Sequence, residues 1–194
     1  MASITSICNQ ALLKIGGKAI TSISPPDGSR EAELCAAIFE DTKAAVLEET
    51  NWAFAIRRFQ LAPLAQTPAF GYHYAFALPP EIARVISVGT GNHPNNIDWS
   101  VEGKKIMCNS DAINVYTVVG DVDTNDLSPM FTQAFITRLA AEMSTALTGD
   151  KGLAQALWNE YGAKIELATT SDSQQGTYEK TSPGGLIDIR VLAS

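Results

Sequence analysis

The chain has 194 residues, 45% hydrophobic and 18% charged, with a formal net charge of −7. A chain this long buries roughly 70% of its unfolded surface, so it needs no disulfide or metal to fold, and its composition is that of a globular domain. The acidic balance argues against nonspecific affinity for nucleic acid, which comes from Lys and Arg neutralising phosphates; an acidic wall suits a passage better than a clamp.

The first segment, from about Ser3 to Gly16, carries Ile4, Ile7, Cys8, Ala11, Leu12 and Ile15 at helical spacing. Gly16-Gly17 provides the C-terminal stop, because glycine enters the left-handed cap at little cost. Ser24-Pro25-Pro26-Asp27-Gly28 reads as a turn. A second helix is expected from about Ser29, a plausible N-cap, to Glu49, with Ala32, Cys35, Phe39, Thr42, Val46 and Leu47 on one face. Trp52 and Phe54 follow it and are large enough to anchor the packing of the two helices.

From Phe59 to Gly120 the period changes. Tyr72, Tyr74, Phe76 and Leu78 alternate, a strand signature with one face buried. Arg84 to Val88 reads as a strand, and Gly89 to Asn96 as a loop. Ile97, Trp99 and Val101 alternate before a turn at Glu102-Gly103, a return through Ile106 and Cys108, and a last strand from Ile113 to Val119. Four to six short antiparallel strands are expected. Helical spacing resumes at Ser128-Pro129, a good cap and first residue, and runs to about Leu147. After Thr148-Gly149-Asp150, a fourth helix is expected from Lys151 to Ser171, with Leu153, Leu157, Tyr161, Ile165 and Ala168 aligned.

The last segment differs in kind. Asp172 to Gly185 is rich in Ser, Gln, Gly and Thr and reads as extended. It carries an apolar end, Leu186, Ile187, Ile189, Val191 and Leu192, in which Asp188 and Arg190 alternate with the branched residues. A polar tether with an apolar tip favours docking on another chain; a strap on the chain's own body is the other placement. The fold class expected is therefore α+β: an antiparallel helix bundle from both chain ends (1–58 and 121–171), an inserted small antiparallel β-region (59–120) and an extended C-terminal tail (172–194).

Constellations that carry chemistry are not found. Cys8, Cys35 and Cys108 lie far apart and form no C-x-x-C, which argues against zinc and paired disulfides. His73 and His93 are the two histidines, neither in a metal-ligand pattern. Gly16-Gly17-Lys18 lacks the Walker spacing, with Leu12 and Ala19 at its other positions. Asp121, Asp123 and Asp126 imitate the start of a calcium loop, but Asp126 stands where glycine is required and Thr132 replaces the bidentate Glu. Their bland role is to precede a helix N-terminus; a weak ion site is the lesser alternative. Glu48 and Glu49 diverge on a helix and cannot face one substrate. Arg57-Arg58 reads as a solvated or interface-rim pair. No apolar run approaches the roughly 20 residues of a membrane helix, and the N-terminus has no charged region followed by an apolar run, so no signal peptide is expected.

Four blocks resemble the tail tubular protein A family, the head-to-tail adaptors of short-tailed phages. They are Ile7-Cys8-Asn9-Gln10-Ala11-Leu12-Leu13-Lys14-Ile15-Gly16 with Ile20-Thr21-Ser22-Ile23; Glu31-Ala32 through Cys35 to Asn51-Trp52-Ala53-Phe54-Ala55; Phe70-Gly71-Tyr72-His73-Tyr74 with Leu78-Pro79-Pro80 and Arg84-Val85; and Ala140-Ala141-Glu142 with Leu147-Thr148-Gly149-Asp150 and Leu153 to Tyr161. Their order and spacing cover most of residues 3–172. The resemblance implies a ring of about twelve copies between the portal protein and a tail nozzle similar to tail tubular protein B. DNA would pass through the channel without specific binding, and neither a membrane nor a cofactor or catalytic residue would be involved. It also implies assembly in the host cytoplasm, a place in the virion neck, and free subunits that assemble on the portal. On this reading Ile4, Ile7, Leu12, Phe39, Val46, Phe135, Leu139, Leu157 and Tyr161 build the rigid body and part of the subunit contacts. The β-region faces the tail, and Leu186, Ile187, Ile189, Val191 and Leu192 meet the portal or a neighbouring subunit. The alternative function is a virion-associated carbohydrate hydrolase, which requires two carboxylates about 5–10 Å apart in a cleft.

Overall fold

The computed structural model describes residues 3–93 and 95–174. These form four helices and two three-stranded antiparallel sheets. Helix α1 spans Ile4–Lys14 and α2 Arg30–Glu49; a 3₁₀ turn at Ala53–Ala55 then leads into strand β1, Ile56–Leu61. Strands β2 (Tyr74–Ala77), β3 (Ile82–Gly89), β4 (Trp99–Glu102), β5 (Lys105–Cys108) and β6 (Ile113–Val119) follow. Helices α3 (Pro129–Thr148) and α4 (Lys151–Ser173) complete the described chain.

Local chemistry explains the helix ends. Ser3, Ser29 and Ser128 each accept a hydrogen bond from the backbone N–H three residues on, and Asp150 accepts from Gly152 and Leu153, so each helix has an orphan donor satisfied. Gly149 closes α3 with φ of 72°, a conformation glycine adopts without strain, and the two-residue link to α4 folds the pair into a hairpin.

The helices share one core. Cys35 Sγ lies 3.5 Å from Met143 Sδ, and the Phe39 and Phe135 rings meet edge-on at 5.2 Å, so α2 and α3 run in opposite senses. Lys164 Nζ donates to Thr137 Oγ1 at 3.1 Å, and the Arg138 guanidinium lies 4.2 Å from the Trp158 ring centre, which sets α4 against α3. Lys14 on α1 pairs with Glu160 on α4 at 2.7 Å. Trp52 is fully buried between α2 and α3. Its indole N–H donates to the Val46 carbonyl at 3.0 Å, and its ring meets Phe131 edge-on at 5.0 Å.

The two sheets have the orders β1-β6-β3 and β2-β5-β4. A second core, containing Phe76, Val88, Ile106, Cys108, Ile113 and Val115, draws on both. Strand β6 serves the two cores in turn: Ile113 and Val115 lie in the second, Val118 and Val119 in the helical one. Its burial therefore begins as alternation and ends as a continuous buried run, the pattern of a strand covered on both faces.

Several boundaries differ from those expected. Strand pairing begins at Ile56, opposite Val118, so the β-region starts before residue 59. Tyr72 precedes the strand, and Ala75 as well as Phe76 is buried, because β2 is covered on both sides. Helix α4 continues through Asp172 and Ser173, beyond the expected end at Ser171 and into the segment expected to be tail. The β4–β5 turn places both Gly103 (φ 54°) and Lys104 (φ 62°) in the left-handed region, as a two-residue hairpin demands. Gly89 ends β3 against the 90–93 loop, where a β-carbon would collide with the His93 carbonyl.

Candidate interaction surface

Leu186, Ile187, Ile189, Val191 and Leu192 lie outside the described residues. The other contact residues expected from sequence are placed, and most are used internally. Ile7, Leu12, Phe39, Val46, Phe135, Leu139, Leu157 and Tyr161 are buried in the chain's own core, and Ile4 packs against it. The eight buried side chains are thus taken up by the rigid body itself, whereas Ile4 is only partly covered; periodicity marks a buried face without saying what buries it. Among the described residues, the large apolar side chains that do face outward are others: Leu13, Leu167, Val101, Met130 and, at 90% exposure, Phe70 ahead of β2.

Where α4 ends beside the start of β1, a groove of about 610 Å³ opens. Asn51, Ala53, Ile56, Arg57, Arg58, Tyr116, Asp172 and Ser173 line it. Asp172 continues the apolar stripe of Leu157, Tyr161 and Ala168 and is only 6% exposed. Its Oδ2 accepts the Ala53 backbone N–H at 2.6 Å, fixing the 3₁₀ turn to the end of α4. Among the described residues its Oδ1 is buried without a hydrogen-bond partner. A buried carboxylate oxygen left so is costly.

The groove's cationic side chains are held from below. Arg57 Nη1 donates to the Phe54 and Ile56 carbonyls, both at 2.9 Å. Arg58 lies over the Tyr116 ring, 5.0 Å from its centre. Behind them, Arg84 Nη2 donates to Asn51 Oδ1 at 2.6 Å. Strand β1 lies at one end of its sheet, and among the described residues its outer edge pairs with no strand. Arg57-Arg58 was legible as a basic pair in sequence; its acidic counterpart was not. The available signal was a carboxylate falling on the next position of α4's buried stripe.

A second hollow, of about 700 Å³, lies among the β-region loops and is lined by Asp98, Asp111, Asn95, Asn109 and Tyr74 among others. Asn96 braces its rim, accepting from Thr90 N at 2.8 Å and donating to Thr90 Oγ1 at 2.9 Å. His73 Nδ1 lies 2.9 Å from Asn109 Oδ1 at the surface, and His93 sits in the 90–93 turn.

The remaining candidates take structural roles. Glu49 accepts the Tyr161 hydroxyl at 2.6 Å and pairs with Arg138 at 3.4 Å. Burial, followed by this carboxylate, pushes the Tyr161 phenol up from its ordinary value. Asp123 Oδ1 accepts from both the backbone and the side chain of Asn125 at 2.8 Å, an Asx turn before α3. All three cysteines are buried as free thiols. The Cys8 thiol is pushed up by its hydrogen bond with Cys35 and by burial. Among the described residues, no group of three or more His, Cys, Asp or Glu side chains is placed to hold a metal ion, and no helix is long and apolar enough to cross a membrane. Compared with protein-family models and with curated proteins, the sequence matches none.

Proposed function

We propose that this protein is a structural head-to-tail adaptor of a tailed phage, forming a ring between the portal protein and the tail nozzle. The observation that carries this reading is the order of the four resembling blocks, which fall on α1, on α2 with the Trp52 exit, on the entry to the β-region, and on the α3–α4 hairpin. The finer arrangement belongs to the same proposal: helices from both chain ends close as an antiparallel bundle, the β-region faces the tail, and an extended C-terminal tail reaches out. DNA passes through the channel without specific binding, in keeping with the net charge of −7.

In this mechanism the ring multiplies a modest interface. Closed symmetry repeats one contact around the neck, so each can be weak while the whole is stable. Leu186, Ile187, Ile189, Val191 and Leu192 supply the contact with the portal or a neighbouring subunit. The protein acts in the virion neck after assembly in the host cytoplasm, with no cofactor and no membrane partner. Truncation after Gly185 tests it. The shortened chain is expected to fold but to be missing from particles; incorporation at the full-length level would remove the tail from the mechanism.

One observation favours a second reading, a carbohydrate hydrolase carried on the virion: Asp98 and Asp111 line the same hollow. Asp98→Asn and Asp111→Asn separate the two. An adaptor keeps its assembly with either substitution, whereas a hydrolase loses turnover on the capsule or wall polysaccharide of its host.

A further inference from the structure

We infer that in the free subunit the groove between α4 and β1 is occupied by the chain's own C-terminal segment, Leu186 to Leu192, laid along the outer edge of β1. The inference does not depend on the adaptor reading. It assigns an intramolecular seat to a segment which, on that reading, later docks elsewhere.

Four observations converge. First, the groove is where the rest of the chain departs: Ser173 lines it, and α4 ends there. Residues 175–185 reach about 35–40 Å when extended, while six-residue β1 is only about 20 Å long, so the segment can turn back and lie beside it. A tether this short holds its end at a millimolar-scale effective concentration, which a second copy must exceed to compete.

Second, β1 offers a strand edge with no partner among the described residues. Ile187, Asp188, Ile189, Arg190 and Val191 alternate as an added strand must. Third, the charges match in kind. Asp188 and Arg190 lie on the opposite face of the added strand from Ile187, Ile189 and Val191, the face that carries Arg57 on β1, so Asp188 meets the Arg57 guanidinium and Arg190 faces Asp172. Fourth, Asp172 has an oxygen that is buried yet unpaired among the described residues. A donor arriving with the tail relieves that cost. The apolar face of the segment, Ile187, Ile189 and Val191, covers Ile56 and Tyr116 on the groove floor.

Hydrogen exchange read by mass spectrometry on the full chain tests this without any other virion component. Amides of residues 187–191 should exchange at least about tenfold more slowly than those of 176–184, by the same factor after a large dilution. Asp188→Arg should abolish the protection, and adding Arg57→Asp should restore it. Because Asp188 lies outside the described core, its substitution leaves the fold as an internal control, read from unchanged protection of α3. Exchange of 187–191 at the rate of the preceding linker overturns the inference. Protection that fades on dilution assigns the groove to a second copy instead. Loss that Arg57→Asp does not rescue, or protection indifferent to Asp188→Arg, moves the segment to another surface. None of these outcomes bears on incorporation into particles, so the adaptor reading stands or falls separately.

Discussion

The Ala53 backbone N–H donates to Asp172 Oδ2 at 2.6 Å, joining residues 119 positions apart in the sequence. This one bond ties the exit of the second helix to the end of the fourth. It places the arginines of β1 beside the point where the C-terminal segment leaves the body.

Removing it should be felt in stability. Asp172→Ala strands the Ala53 N–H and is expected to cost about 1–3 kcal/mol, read from the midpoint of urea unfolding. Asp172→Asn retains an accepting oxygen and is expected to cost less. An Ala variant as stable as the parent would mean that water replaces the carboxylate.

Trp52 is the largest fully buried side chain, and it carries both an indole hydrogen bond and aromatic contacts. Trp52→Ala should destabilise by about 3–5 kcal/mol. Trp52→Phe should lose less, chiefly the bond to the Val46 carbonyl. Equal losses for the two would show that ring packing contributes little.

Tyr161 gives stability an alkaline slope. Its phenol is pushed up by burial and by the Glu49 carboxylate, opposed by Arg138. Above about pH 10 the unfolded chain loses this proton while the folded chain keeps it, so the unfolded state binds fewer protons and stability falls as pH rises. Tyr161→Phe should flatten that slope between about pH 10 and 12, while lowering stability near neutrality through loss of the Glu49 bond. Parallel pH profiles for the two proteins would show that the slope arises elsewhere.

Lys104 holds φ of 62°, which its β-carbon disfavours. Lys104→Gly should stabilise the chain by about 0.5–1 kcal/mol, relief of strain exceeding the added entropy of glycine in the unfolded state. A loss of stability would mean that the side chain earns its place through contacts across the hairpin.

Much of the fold was legible because it is local. Helical stripes, serine caps and the Gly149 stop fixed the helices to within a turn, and alternation in Ile97–Val101 and Ile113–Val115 located two strands. What failed was whatever depends on a second layer. Strand β2 loses its alternation because it is covered on both faces, and β6 because it passes from one core to the other. The polar composition after residue 171 hid two further helical residues, since Asp172 is held by a partner from another part of the chain. The groove was illegible for the same reason: Arg57, Arg58 and Tyr116 come from adjacent strands, and Asp172 comes from the far end of the sequence. Charge type is written in the chain, but its convergence requires the fold.

The most direct measurement for the account is electron microscopy of the full-length protein mixed with the portal protein of its own phage. A closed ring of this protein stacked on the portal, coaxial with its channel and absent when the chain is truncated after Gly185, is the predicted result. Portals that remain bare at saturating protein, beside intact folded monomers, would contradict it.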